Sequence, residues 1–157
     1  MKIANRKKKI ESNKMIKETL MYIYLLNDHI VYDYNLNAVS PTIKRSMQRY
    51  GKELIHSGAI PTTRLKKDKN GLYYKVNDDI VETNKKFFVF DDDEHSKRLA
   101  RIVTLLYLKK VEHNSISSKE SIEELYRTKL KVDKPKKSVY RDLRLIDIAY
   151  SYYNKNK

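Results

Sequence analysis

The sequence predicts a mainly α-helical protein with one small β-hairpin, laid out as two successive helical modules joined by an acidic connector. Three observations lead there. Apolar residues recur at helical spacing in five long stretches of the 157-residue chain. Asn70-Gly71 stands between two short strand-like runs, a strong hairpin signal. The second half repeats the order of the first, a long helix, a short helix, a turn and a long helix.

The elements follow in order. Residues 1–10 form a basic arm, with four consecutive cations from Arg6 to Lys9, of the kind that lies against phosphates or enters a minor groove. Glu11 to about Leu26 reads as a helix on the stripe Ile16, Leu20, Ile23 and Leu26, broken by Asn27-Asp28. His29 to Tyr32 is a short strand, and Asp33 to Ala38 a short second helix. A third helix spans residues 41–57. Ser40 is placed to cap it, and Pro41 takes the first helical position, where a missing N–H costs nothing. Ile43, Met47, Tyr50 and Leu54 form its apolar face. Arg45, Gln48, Arg49 and Lys52 lie opposite, with Thr42 and Lys44 at the margins. Gly58 suits the left-handed position beyond its end. Arg64, Lys66, Lys67 and Lys69 then make the hairpin of residues 60–76 strongly basic.

Residues 78–94 are the connector. Lys86 to Phe90 has strand composition. Asp91, Asp92, Asp93 and Glu94 precede a helix, where carboxylates favour the positive end of the dipole, and Asp91 with Glu94 has capping-box spacing. No histidine or further acid at ligand spacing makes that cluster a metal site. Ser96 to Lys110 is a helix with Leu99, Ile102, Val103, Leu106 and Tyr107 inward. Ser118 caps a helix over 119–128 that buries Ile122, Leu125 and Tyr126. A final helix from Pro135 to Tyr153 carries the stripe Val139, Leu143, Ile146 and Tyr150, with Lys137, Arg141 and Arg144 outward. Leu145, Ile148 and Tyr152 point off that stripe. They are expected either to make a homodimer or to pack on the first module.

Charge carries the functional expectation. The chain has 34 basic and 20 acidic side chains, a net of +14, which implies a polyanionic partner. Residues 1–77 hold 16 basic and 6 acidic groups, residues 78–94 hold 2 and 7, and residues 95–157 hold 16 and 7. Two basic modules thus flank an acidic connector. The absence of cysteine excludes disulfides, thiolate zinc sites and cysteine nucleophiles, and suits a reducing cytoplasm. No apolar run approaches the ~20 residues of a membrane span, and Met1 to Lys9 lacks the apolar segment of a signal peptide. A cytoplasmic location is expected.

Val39-Ser40-Pro41-Thr42-Ile43-Lys44-Arg45, followed by a helix ending His56-Ser57-Gly58-Ala59-Ile60-Pro61, resembles the DeoR-type winged helix-turn-helix found at the front of WYL-domain regulators. The resemblance covers roughly Lys14 to Val76. Arg45-Ser46-Met47 stands where that family carries Arg-Asp-Leu, whereas Ser138-Val139-Tyr140-Arg141-Asp142-Leu143 is similar to the same signature in the second module. The resemblance implies two winged-helix or helix-turn-helix-like modules, in residues 11–77 and 95–157. It also implies a double-stranded DNA partner read in the major groove.

The chain has no glycine-rich phosphate loop, no metal motif and no nucleophile elbow, so no enzymatic activity, cofactor or metal is expected. His29, His56, His95 and His113 are scattered. Most of the 13 tyrosines fall on core stripes or in the hairpin, so core filling outweighs base stacking as their role. The expectation is a dimeric, sequence-specific transcription regulator. Arg45, Gln48 and Arg49 would read bases. Lys44, Lys52, Arg64, Lys66, Lys67 and Lys69 would meet phosphates, and Thr42, Lys137, Arg141 and Arg144 are further DNA-binding candidates. Two other readings are a plasmid or phage replication or recombination accessory protein, and a helix-turn-helix fold turned to a protein partner as adaptor or inhibitor.

Overall fold

The computed structural model describes residues 12–61, 65–76, 88, 90–111 and 118–155. Those residues form a mainly helical protein with one three-stranded antiparallel sheet. In chain order the elements are α1 (Asn13–Asp28), β1 (Ile30–Tyr32), α2 (Asp33–Leu36), α3 (Lys44–Ser57), β2 (Leu65–Asp68), β3 (Gly71–Lys75), α4 (Glu94–Val111), α5 (Lys119–Thr128) and α6 (Pro135–Lys155).

The central element is α1. Ser12 caps it, its Oγ accepting from the Met15 N–H, and His29 ends it in the left-handed region at φ 63°. Asn27 and Asp28 therefore belong to its last turn rather than breaking it. Every residue from Met15 to Leu26 is buried. A stripe on one side would not achieve that. The cover comes from several elements, because α3, α4 and α6 all pack against α1. One continuous hydrophobic cluster runs from Met15 through Val31, Leu54 and Tyr74 to Leu106, Ile146 and Tyr153. Tyr153 donates its phenol proton to Asp28 Oδ1 (2.7 Å) and meets Tyr24 edge-on, which pins the end of α6 to the end of α1.

The sheet has the order β1-β3-β2. Val31 pairs with Tyr74, and Tyr74 with Leu65, so this inward row faces the core while Tyr32, Tyr73 and Lys66 share the outward row. Asp68 pairs with Gly71, so the hairpin turns on Lys69-Asn70 rather than on Asn70-Gly71. The Asp68 carboxylate accepts the Asn70 N–H at 2.8 Å and sets the turn one residue earlier. Gly71 lies at φ 131°, where a side chain would strain the backbone, and a Cβ there would sit 2.5 Å from Asp33 Oδ1.

Helix α3 starts three residues later than the sequence suggests. Ser40 does not cap it and Pro41 is not its first residue; Ile43 takes the N-cap position without a side-chain bond. The reason is tertiary. Asn37 Oδ1 accepts the Thr42 N–H (2.7 Å), and Lys17 of α1 donates to the Pro41 carbonyl (2.7 Å). Residues 40–43 are thereby held outside the helix. Ile43 leaves the apolar face and becomes 63% exposed. Helix α2 likewise ends at Leu36, short of Ala38.

In the second half, α4 begins at Glu94. Its first turn is capped by Asp93, which accepts from the Ser96 N–H and Oγ at 2.9 Å each, in place of the expected Asp91 and Glu94 pair. Those two bonds hold the Asp93 carboxyl below the usual range. Ser118 caps α5 as expected. Phe88 is buried edge-on to Tyr107 and Phe90 is half-buried, neither of them in a strand; Lys86, Phe87 and Val89 lie outside the described residues. The strip Leu145, Ile148 and Tyr152 does not face outward. Leu145 is fully buried, and Ile148 and Tyr152 pack against the same core, because α6 is covered by α1 and α4 as well as α5.

Candidate nucleic-acid interface

Helix α3 divides by face. Met47, Tyr50, Gly51, Leu54 and Ser57 are buried, whereas Lys44, Arg45, Gln48, Arg49 and Lys52 are exposed. At 100° per residue these five polar residues share the surface opposite the core. On the hairpin, Lys66, Lys67 and Lys69 are exposed, while Arg64 lies outside the described residues. Thr42 is half-buried. Its hydroxyl donates to the Ser40 carbonyl (3.3 Å) and is engaged in the turn.

Helix and hairpin are joined by a close approach. Tyr74 of β3 lies across Gly51 and donates its hydroxyl to the Gln48 carbonyl (3.3 Å). A Cβ on Gly51 would fall 2.3 Å from two carbons of that ring. The missing side chain is what lets the strand seat on the helix. The two cationic segments thus carry a defined relation to each other.

Three polar features lie beneath α3 and the turn that leads into it. The first is the Lys17 bond to Pro41; burial lowers the Lys17 ammonium's pKa from its usual value. The second is Tyr74 on Gln48. The third is a cluster in which His95 of α4 places Nε2 2.5 Å from Glu18 Oε1 of α1. Burial first, then the neighbouring Glu53 of α3, pushes the Glu18 carboxyl up to about 9. Burial and the Lys14 charge lower the His95 imidazole. The cluster brings side chains of three helices close together.

The exposed face is not uniform. Arg49 and Lys52 line a shallow hollow of about 230 Å³ with Glu53, His56, Phe90, Asp91 and Ser96. Phe90 and Asp91, at the described end of the connector, therefore stand beside the C-terminal half of the helix, and Arg49 also lies 5.6 Å from the Tyr50 ring. Ile43, Lys44, Arg45 and Gln48, in the N-terminal half, do not line that hollow.

Of the second-module candidates, Lys137, Arg141 and Arg144 are all exposed on α6. Sequence reasoning missed their companion Tyr140, 66% exposed, with Lys119 Nζ 5.9 Å from its ring centroid. It also missed Asp142. Asp142 is wholly buried, and its carboxylate accepts from Arg98 Nε (2.9 Å), Arg101 Nε (3.0 Å) and the Tyr126 hydroxyl (2.7 Å). Burial, then the Asp142 charge, raises the Tyr126 phenol well above its usual value. The spacing could have shown this, since Asp142 lies three residues after Val139 and four before Ile146, on the inward stripe. This network joins α4, α5 and α6, so Arg98 and Arg101 are structural cations rather than parts of the surface.

Among the described residues no cluster of histidine and acidic side chains could hold a metal ion, and no helix is long and apolar enough to cross a membrane. Comparison with protein-family models, with curated proteins and with solved structures finds no match.

Proposed function

We propose that the protein is a sequence-specific double-stranded-DNA-binding transcription regulator. In this reading residues 11–77 act as a winged helix-turn-helix of DeoR type, and residues 95–157 as a second helix-turn-helix-like module. One observation carries the reading: the exposed cationic face of α3 and the exposed lysines of the β2–β3 hairpin belong to segments clamped together at Gly51 and Tyr74. A helix presents base readers to a major groove, and a basic hairpin beside it meets phosphates. Arg45 and Gln48 are suited to bidentate contact with guanine and adenine, respectively. Lys44, Lys66, Lys67 and Lys69 neutralise backbone charge. Arg49 and Lys52, beside Asp91, sit at the edge of the contact.

The test is selection from a random duplex library at two salt concentrations. An enriched motif supports a sequence-specific regulator. Binding without enrichment that falls steeply with salt indicates a phosphate-driven accessory protein instead. No binding at low salt rejects both and leaves the protein-adaptor reading. With a motif in hand, Arg45→Ala is expected to weaken binding by about 1–3 kcal/mol and relax the preference at one position; an unchanged preference removes Arg45 from base reading.

A further inference from the structure

Ile43 is an apolar side chain in an expensive place. At 63% exposure it is one of three large hydrophobic residues exposed among the described ones, with Tyr34 and Tyr140. Its helical spacing with Met47 would place it in the core, yet the turn before α3 turns it to solvent. That turn is held at two points, by Asn37 on the Thr42 N–H and by Lys17 on the Pro41 carbonyl, so the exposure is built into the backbone. Exposed Lys44 and Arg45 follow directly. The position is the entry to the helix, the part of a groove-reading helix whose side chains come nearest to base edges.

Resting on the duplex-DNA reading proposed above, we infer that Ile43 is a specificity-determining residue that recognises the C5-methyl group of thymine. Among the four bases that methyl is the apolar feature of the major groove, and an aliphatic side chain is its complement. Lys44 and Arg45 supply the attraction that brings the groove to this point. They cannot distinguish thymine from uracil, which differs from it only by that methyl. Ile43 can, because burying its exposed surface against a methyl removes apolar area from water on both partners. Ile43 plays no part in the core, so its substitution separates recognition from folding.

The experiment uses the full chain and the duplex enriched by selection. Each thymine is replaced in turn by deoxyuridine, which lacks only the 5-methyl group. Wild-type protein is expected to lose about fourfold in affinity at one or two thymines, the effect of one methyl-sized burial. Ile43→Ala is expected to bind the thymine duplex correspondingly less tightly and to show no further loss on those deoxyuridine duplexes. Ile43→Val should fall between the two. All three proteins should melt at the same temperature. Equal sensitivity of wild type and Ile43→Ala to every deoxyuridine substitution overturns the assignment and leaves the regulator reading standing. Failure to enrich any motif overturns both, and is seen before the substitutions are made.

Discussion

A methyl group added to Gly51 would meet the ring of Tyr74, which is held in place by its bond to the Gln48 carbonyl. Overpacking of this kind costs about 1–3 kcal/mol, against a gain of about 1 kcal/mol for alanine over glycine inside a helix. Gly51→Ala should therefore lower stability to urea. In a Tyr74→Ala background the clash is gone and only the propensity gain is left, so the same substitution should stabilise. A loss of equal size in both backgrounds would mean that the ring is not what excludes the side chain. Asp142 offers a second case. It is a carboxylate with no exposure, held by two arginines and a phenol. Removing one partner of such a buried set strands the others, at about 3–5 kcal/mol. Asp142→Ala should cost that much in urea unfolding, whereas Asp147→Ala, an exposed acid on the same helix, should change it by less than about 0.5 kcal/mol. Similar losses for the two would deny Asp142 its role as anchor. The arginines of this set could not be told from surface cations in the sequence, because helical spacing fixes the face a residue occupies but not the partner it meets there.

At the scale of elements, the five long helices were legible from apolar period, and the hairpin from Asn70-Gly71 between two strand-like runs. Their ends were legible only where the cap was local. Ser118 caps α5 with its own neighbour Ser121 and was read correctly. Ser40 and Pro41 have the same local credentials, but Lys17, 24 residues away in sequence, takes the Pro41 carbonyl. No window of sequence contains that bond. The Glu18, Glu53 and His95 cluster is similarly non-local, and it gives the junction of α1, α3 and α4 a pH dependence. Glu18 keeps its proton in the folded state up to about 9, whereas the unfolded chain releases it near 4.5. Its contribution to stability is complete at low pH and is lost as pH rises through that interval. His95 acts in the opposite sense. Its folded pKa is lowered from 6.5, so the unfolded chain takes up the proton more readily, and stability rises with pH toward 6.5. Above 6.5 only the Glu18 contribution remains. Between about pH 6.5 and 9 the wild type should lose stability progressively relative to Glu18→Gln in thermal melts. Parallel curves for the two proteins would show that the carboxyl is already ionised at neutral pH.

For the molecule as a whole, the decisive feature is that α1 is covered from both halves of the chain. The hydrophobic cluster does not divide at the acidic connector; Leu106, Leu145 and Tyr153 belong to the same packed body as Met47 and Tyr74. A fragment of residues 1–94 would expose the side of α1 that α4 and α6 cover, so it should show no cooperative melting transition and should bind the apolar dye ANS. A sharp transition would mean that the first half builds a sufficient core alone. The sequence left this arrangement as one of two alternatives. Two basic segments around an acidic one look like two units, and the covering of α1 left its marks as an apolar strip on α6, Leu145, Ile148 and Tyr152, and as apolar residues beyond one stripe on α1, with Met15 and Tyr24 outside it.

The same covering governs how the surface can move. Residues from Leu20 to Leu25 in the middle of α1 are buried, and their amide hydrogens should be the slowest in the chain to exchange with deuterium. The turn before α3 hangs on that helix through Lys17. The exposed face of α3 is therefore presented by a rigid support. A partner that docks there meets a backbone with little conformational entropy left to lose, and the adjustment of shape on binding falls to the exposed side chains and to the partner.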